Sequence, residues 1–188
     1  IKNDITTLMV QEYPELQGTM GKIYSLSQGI DTQIAEVCEQ HYFPKQWQDS
    51  VPGNRLSILF SIATKLSDII DNALAGDLPT GTSDPFGLKK LCDGLIKIFL
   101  DMKLDLSLKD IINYYLQDCS ITRSGKGRWE LPFLDQKIID FIKQRMENIY
   151  LSLNYRIDEI RVVLSSFDGN FWSATKCLES INKIRTDK

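Results

Sequence analysis

The chain of 188 residues is predicted to be all-α. Three observations carry that expectation: apolar side chains recur at helical spacing in most segments, alternating strand patterns are nearly absent, and the periodic stretches are bounded by capping and stop residues. Asp31 is placed to cap a helix through about Tyr42, with Ile34, Val37, Cys38 and His41 on one face and Pro44 as its stop. From Arg55 to Ala75, Leu56, Leu59, Phe60, Ala63, Leu66, Ile70 and Ala73 form an apolar stripe that Ile58, Ile62 and Ile69 widen. That breadth predicts a central helix, ended by Gly76. Opposite it, Ser57, Ser61, Thr64 and Asp68 form a narrow polar strip expected to face solvent.

The stretch from Asp77 to Pro85 is rich in Gly, Pro, Ser, Thr and Asp and predicts a loop. Asp84 is expected to cap the next helix with Pro85 at its first position, and Leu88, Leu91, Cys92, Leu95, Ile96 and Phe99 continue its apolar face. Ser107 with Asp110 resembles a capping box for a helix carrying Ile111, Ile112, Tyr115 and Leu116. After a second loop over 120–130, helices are expected at about 134–153, 157–165 and 170–185.

Composition narrows the class. With 43% apolar and 25% charged residues the chain is expected to fold around its own core. No apolar run approaches the roughly 20 residues needed to span a bilayer. The chain opens at Ile1 without a basic stretch followed by an apolar one, so no secretory signal is read, and an internal piece of a longer polypeptide is expected. Cys38, Cys92, Cys119 and Cys177 stand 54, 27 and 58 positions apart, too far for a zinc knuckle or redox motif, and are expected to be buried free thiols. The absence of an Asn-x-Ser/Thr sequon agrees with a reducing cytoplasmic compartment. Charge is uneven: residues 1–85 carry 5 Lys and Arg against 11 Asp and Glu, and residues 86–188 carry 17 against 14. A polyanion would therefore approach the second half.

Chemistry-bearing motifs are sparse. The chain has a single histidine, His41, beside Tyr42 and Phe43, which denies it most triads and zinc sites and predicts a packed imidazole. Glu12 with Glu15 and Asp68 with Asp71 have the spacing of paired carboxylates, and solvated helix faces account for both. Ser124-Gly125-Lys126-Gly127 lacks the upstream glycine and strand of a phosphate loop. The same segment does place Arg123, Lys126, Arg128 and Trp129 together, cations and a ring suited to phosphate contact and stacking on an RNA end.

Three blocks point further: Met9-Val10-Gln11-Glu12-Tyr13-Pro14-Glu15-Leu16-Gln17-Gly18 with Met20-Gly21, then Glu39-Gln40-His41-Tyr42-Phe43-Pro44, then Pro79-Thr80-Gly81 with Asp84-Pro85-Phe86-Gly87-Leu88-Lys89-Lys90. In this order they resemble the bacterial glycyl-tRNA synthetase β chain. Ile139-Asp140-Phe141 with Arg145, and Tyr155 through Leu164, also resemble that family's segment before its anticodon-binding domain. The resemblance implies an HD-like helical domain over 1–118, and over 131–188 connecting helices leading towards an anticodon-binding domain that is not part of this chain. It implies a noncatalytic scaffold within a cytoplasmic glycine–tRNA ligase. The partners implied are glycine tRNA and the companion α chain or fused α region, which uses ATP and Mg; no cofactor, metal or membrane partner is expected of this piece.

HD enzymes hold a metal with histidines and aspartates, and the family's helix motif resembles Ala-Asp-Lys-x-Asp. This chain reads Ala63-Thr64-Lys65-Leu66-Ser67-Asp68, so Thr64 stands where the distal carboxylate is expected, and a hydroxyl is a poor hard-cation ligand. The paired arginines expected after the Asp-Pro-Phe block are Lys89 and Lys90, which keep the charge but lose the bidentate fork. Lys89, Lys90, Arg123, Lys126, Arg128 and Trp129 are the candidate RNA contacts. The rival readings are a metal-dependent HD phosphohydrolase and a purely protein-binding helical module.

Overall fold

The computed structural model describes residues 1–79, 81, 83–122 and 134–187, with side chains except for 118–122. Among these residues every regular element is helical: α1 (Leu8–Glu12), α2 (Thr19–Ser27), α3 (Thr32–Gln40), α4 (Arg55–Ala75), α5 (Leu88–Asp101), α6 (Leu108–Thr122), α7 (Leu134–Ser152), α8 (Ile157–Ser165) and α9 (Phe171–Thr186), with short 3-10 turns at Asn3–Thr6 and Pro14–Leu16. None of the described helices is long and apolar enough to cross a membrane. The chain divides into two compact units, Ile1–Lys65 and Leu66–Lys188, and the division falls inside α4.

In the first unit, the segment before Asp31 holds short elements that helical periodicity did not reveal. Asp4 is 3% exposed. Its carboxylate accepts the Gly18 N–H at 2.6 Å, tying the first turn to the start of α2. Gly18 has φ +89, and a Cβ there would lie 2.8 Å from the Tyr42 ring, so glycine is required twice over. Lys22 pairs with Glu39 at 2.7 Å across α2 and α3. Asp31 caps α3 as expected, accepting the Gln33 N–H at 2.8 Å. The helix ends at Gln40, short of the expected Tyr42: His41 keeps a helical backbone and donates to the Val37 carbonyl at 3.1 Å, and Pro44 bars Phe43 from continuing it. Asn54 opens α4: its side chain accepts the Ser57 N–H at 2.8 Å and donates to Glu36 at 2.9 Å.

The second unit is built around α5, with Leu88, Cys92, Leu95, Ile96, Ile98 and Phe99 all buried. Its start corrects the sequence reading. Asp84 does supply the cap, accepting the N–H groups of Leu88 and Lys89 at 2.8 and 3.0 Å. The helix begins at Leu88, however, because a turn intervenes and Gly87 takes a left-handed φ of +66. Ser107 caps α6 through the Asp110 N–H at 3.3 Å. Phe171 of α9 meets Phe99 edge-on with ring centroids 4.9 Å apart and Phe167 at 5.6 Å. Arg145 on α7 grips Asp93 on α5 through two 2.8 Å hydrogen bonds. That pair raises the Arg145 pKa further, chiefly through the Asp93 hydrogen bond. Tyr150 reaches Thr175 at 2.7 Å, and burial pushes its phenol up to about 12. Of the cysteines, Cys92 is buried, and burial raises its thiol pKa. Cys38 is half-buried and Cys177 exposed, against the expectation for both, while the Cys119 side chain lies outside the described residues.

Candidate functional site

The first half of α4 faces opposite to its predicted orientation. Leu59 is 61% exposed, and Leu56 and Phe60 are also exposed, whereas Ser57, Ser61 and Lys65 are buried. The reason is the irregular backbone of 41–43, whose carbonyls lack helical partners and require donors. The polar strip of α4 supplies them. Lys65 Nζ donates to Ser61 Oγ at 2.7 Å and to the carbonyls of Phe43, His41 and Tyr42 at 2.9, 3.2 and 3.3 Å. Three ammonium protons serve four oxygens, so at least one is shared. Ser61 in turn donates to the Phe43 carbonyl.

His41 is packed, 1% exposed, as expected. Its Nδ1 lies 2.8 Å from the Val37 carbonyl, and Nε2 is buried without a hydrogen-bond partner among the described residues. Burial pushes the imidazole below its ordinary pKa against the pull of the Val37 carbonyl, and the positive charges of Lys2 and Lys65 add to the downward push. Thr64 spends its hydroxyl on its own helix, donating to the carbonyls of Phe60 and Ser61 at 2.8 and 3.3 Å. Among the described residues no three His, Cys, Asp or Glu side chains gather where they could hold a metal ion. Of the paired carboxylates, Glu12, Glu15 and Asp71 are exposed and Asp68 is half-buried, and Asp71 accepts hydrogen bonds from Ser67 and Tyr115 at 3.2 and 3.4 Å.

The candidate RNA contacts divide. Lys89 and Lys90 stand in the first turn of α5. Lys89 turns back to donate to the Gly81 carbonyl at 2.6 Å, so its ammonium fastens the preceding loop. Lys90 is exposed. Arg123, Lys126, Arg128 and Trp129 lie outside the described residues.

Sequence reasoning missed two polar arrangements that hold the fold. Lys65 carried a signal, a cation at i+4 from Ser61 and i+8 from Ser57. Its meaning depended on which segment would cover that side. The pairing of Arg145 with Asp93 left no local trace, since 52 positions separate them.

A family model described as the glycyl-tRNA synthetase beta subunit matches residues 1–165. The glycine–tRNA ligase beta subunit of Sulfurihydrogenibium sp. (strain YO3AOP1) is 32% identical over 184 residues, 98% of this chain and 24% of that protein. Those of Aquifex aeolicus (strain VF5) and Dictyoglomus thermophilum (strain ATCC 35947 / DSM 3960 / H-6-12) are 34% and 35% identical, each over 98% of this chain and over 24% and 26% of their own lengths. The chain thus spans about a quarter of the length of these relatives. With its helical architecture and this coverage, the chain belongs to the glycyl-tRNA synthetase β subunit family.

Proposed function

We propose that this chain is a noncatalytic, HD-like brace within a cytoplasmic glycine–tRNA ligase, and that it contacts glycine tRNA while the α chain or fused α region performs the ATP- and Mg-dependent chemistry. The HD-like part covers 1–118, and the helices over 131–188 connect it to the remainder of the enzyme. The observation that carries the noncatalytic reading is the buried Lys65 ammonium, bound to Ser61 and to the carbonyls of 41–43, among them that of His41, the chain's one histidine. A positive charge held there opposes a divalent cation, and Thr64 offers no carboxylate to offset it.

The tRNA contact rests on the basic balance of residues 86–188, on Lys90, which is exposed, and on the cations Lys126 and Arg128 read from the sequence. In the complete enzyme, the triple replacement of Lys90, Lys126 and Arg128 by Ala is expected to raise the apparent KM for tRNA about tenfold or more. It should also flatten the salt dependence by about two to three units, for three lost phosphate contacts. Values of kcat and of KM for glycine and ATP should hold. Unchanged tRNA kinetics across several salt concentrations would remove these residues from the interface.

A further inference from the structure

We propose that Trp172, flanked by Lys103 and Lys176, is a stacking contact for one unpaired nucleotide of an RNA, with the base on the indole and its neighbouring phosphates on the two ammonium groups. The inference rests on the reading that RNA is a partner of this chain and adds a contact outside the candidates above.

Trp172 stands at the second position of α9, half-buried, next to Phe171, which is fully buried and fills the core. The indole is therefore not what anchors the helix. One turn on, Lys176 places its Nζ 4.9 Å from the ring centroid, and Lys103 reaches the same ring at 5.6 Å from the end of α5. Both lysines are exposed. Two like charges drawn to one ring repel each other, and an anion between them relieves that repulsion.

Lys103 occupies a backbone position that favours glycine or asparagine. Its φ is +52, and the turn is closed by the N–H groups of Lys103 and Leu104 on the carbonyls of Leu100 and Phe99 at 3.1 and 3.0 Å. A long cation held in a left-handed turn, aimed at a ring from another helix, is the kind of local cost that points to use.

The base beneath is stiff. The Leu108 N–H donates to the Gly169 carbonyl at 2.9 Å, and Asn170 Nδ2 donates to Asp105 at 2.6 Å. Gly169 has φ +101, and a Cβ there would sit 2.8 Å from the Lys109 nitrogen. Asp105 and Asp168 each accept one hydrogen bond from Asn170, at 2.6 and 3.0 Å, through one carboxylate oxygen. The connection between α5 and α6 is thus clamped to that between α8 and α9, and the ring and both cations project from the clamp. A half-open aromatic ring with two exposed cations is the chemistry that reads a single-stranded nucleotide, where stacking needs a free base face that a duplex withholds.

The test uses the full-length protein that contains this chain and a single-stranded RNA hexamer with a central 2-aminopurine, alongside a blunt RNA duplex. Trp172→Ala is expected to weaken hexamer binding about tenfold and to abolish quenching of the 2-aminopurine. Trp172→Phe should stay within about threefold of the parent because a ring remains. Replacing Lys103 and Lys176 by Ala should reduce the salt slope by about 1.4, two single-strand phosphates. Ultraviolet crosslinks to the hexamer should map to the peptide holding Trp172. Equal affinity and quenching in Trp172→Ala and in the double lysine variant, or equal binding of the duplex at this peptide, would overturn the proposal. A rise in tRNA KM on changing Lys90, Lys126 and Arg128, with hexamer binding indifferent to Trp172, would sink this site and leave the broader reading standing.

Discussion

Lys65→Ala is expected to lower the stability of the chain by about 3 kcal/mol or more, the largest single effect of any polar substitution in the first unit. The side chain is 2% exposed, and its removal deprives Ser61 and the carbonyls of His41, Tyr42 and Phe43 of a shared donor in a place water reaches poorly. Burying those carbonyls without a donor is what costs. Lys65→Met separates charge from volume: it refills most of the space but restores no donor, so it should recover less than half of the loss. Urea denaturation followed by circular dichroism reads both variants. A loss under about 1 kcal/mol for Lys65→Ala would mean that the ammonium is not what holds the 41–43 backbone.

Phe171→Ala should cost about 3–5 kcal/mol in the second unit, as for other fully buried aromatic truncations. The ring is fully buried, edge-on to Phe99 and tilted against Phe167, so both neighbours lose a packed face at once. Phe171→Leu should lose about 1–2 kcal/mol, since an aliphatic side chain keeps much of the volume but not the edge-to-face geometry. Thermal melting of the two variants gives the ordering. Equal melting temperatures for Phe171→Ala and the parent would place the core of this unit elsewhere.

How far the structure was legible depended on the range of the interactions. The helices α4, α8 and α9 could be bounded within a residue or so because their caps and periodicity are local: Asn170, for instance, accepts the Ser173 N–H at 3.0 Å. The start of α5 was misplaced because Asp84 caps across a turn, and nothing in the spacing distinguishes that from a cap in the usual place. The inward turn of Ser57, Ser61 and Lys65 was illegible for a deeper reason. Amphipathicity states that a helix has two faces, but which one is covered is decided by what lies against it. Here that is a stretch of backbone with carbonyls to satisfy. Of the candidate contacts, the difference between Lys89 and Lys90 is likewise a matter of folding, since Gly81, the acceptor for Lys89, is eight positions away.

The proposed bracing role rests on the Lys65 ammonium held at the His41 carbonyl, a positive charge that would keep a divalent ion away from this part of the first unit. Elemental analysis of the purified full-length protein, repeated on His41→Ala, tests it most directly. The expected result is the same metal content in both proteins, with no stoichiometric ion that depends on His41. One divalent ion per polypeptide, retained by the parent and lost on His41→Ala, would contradict it.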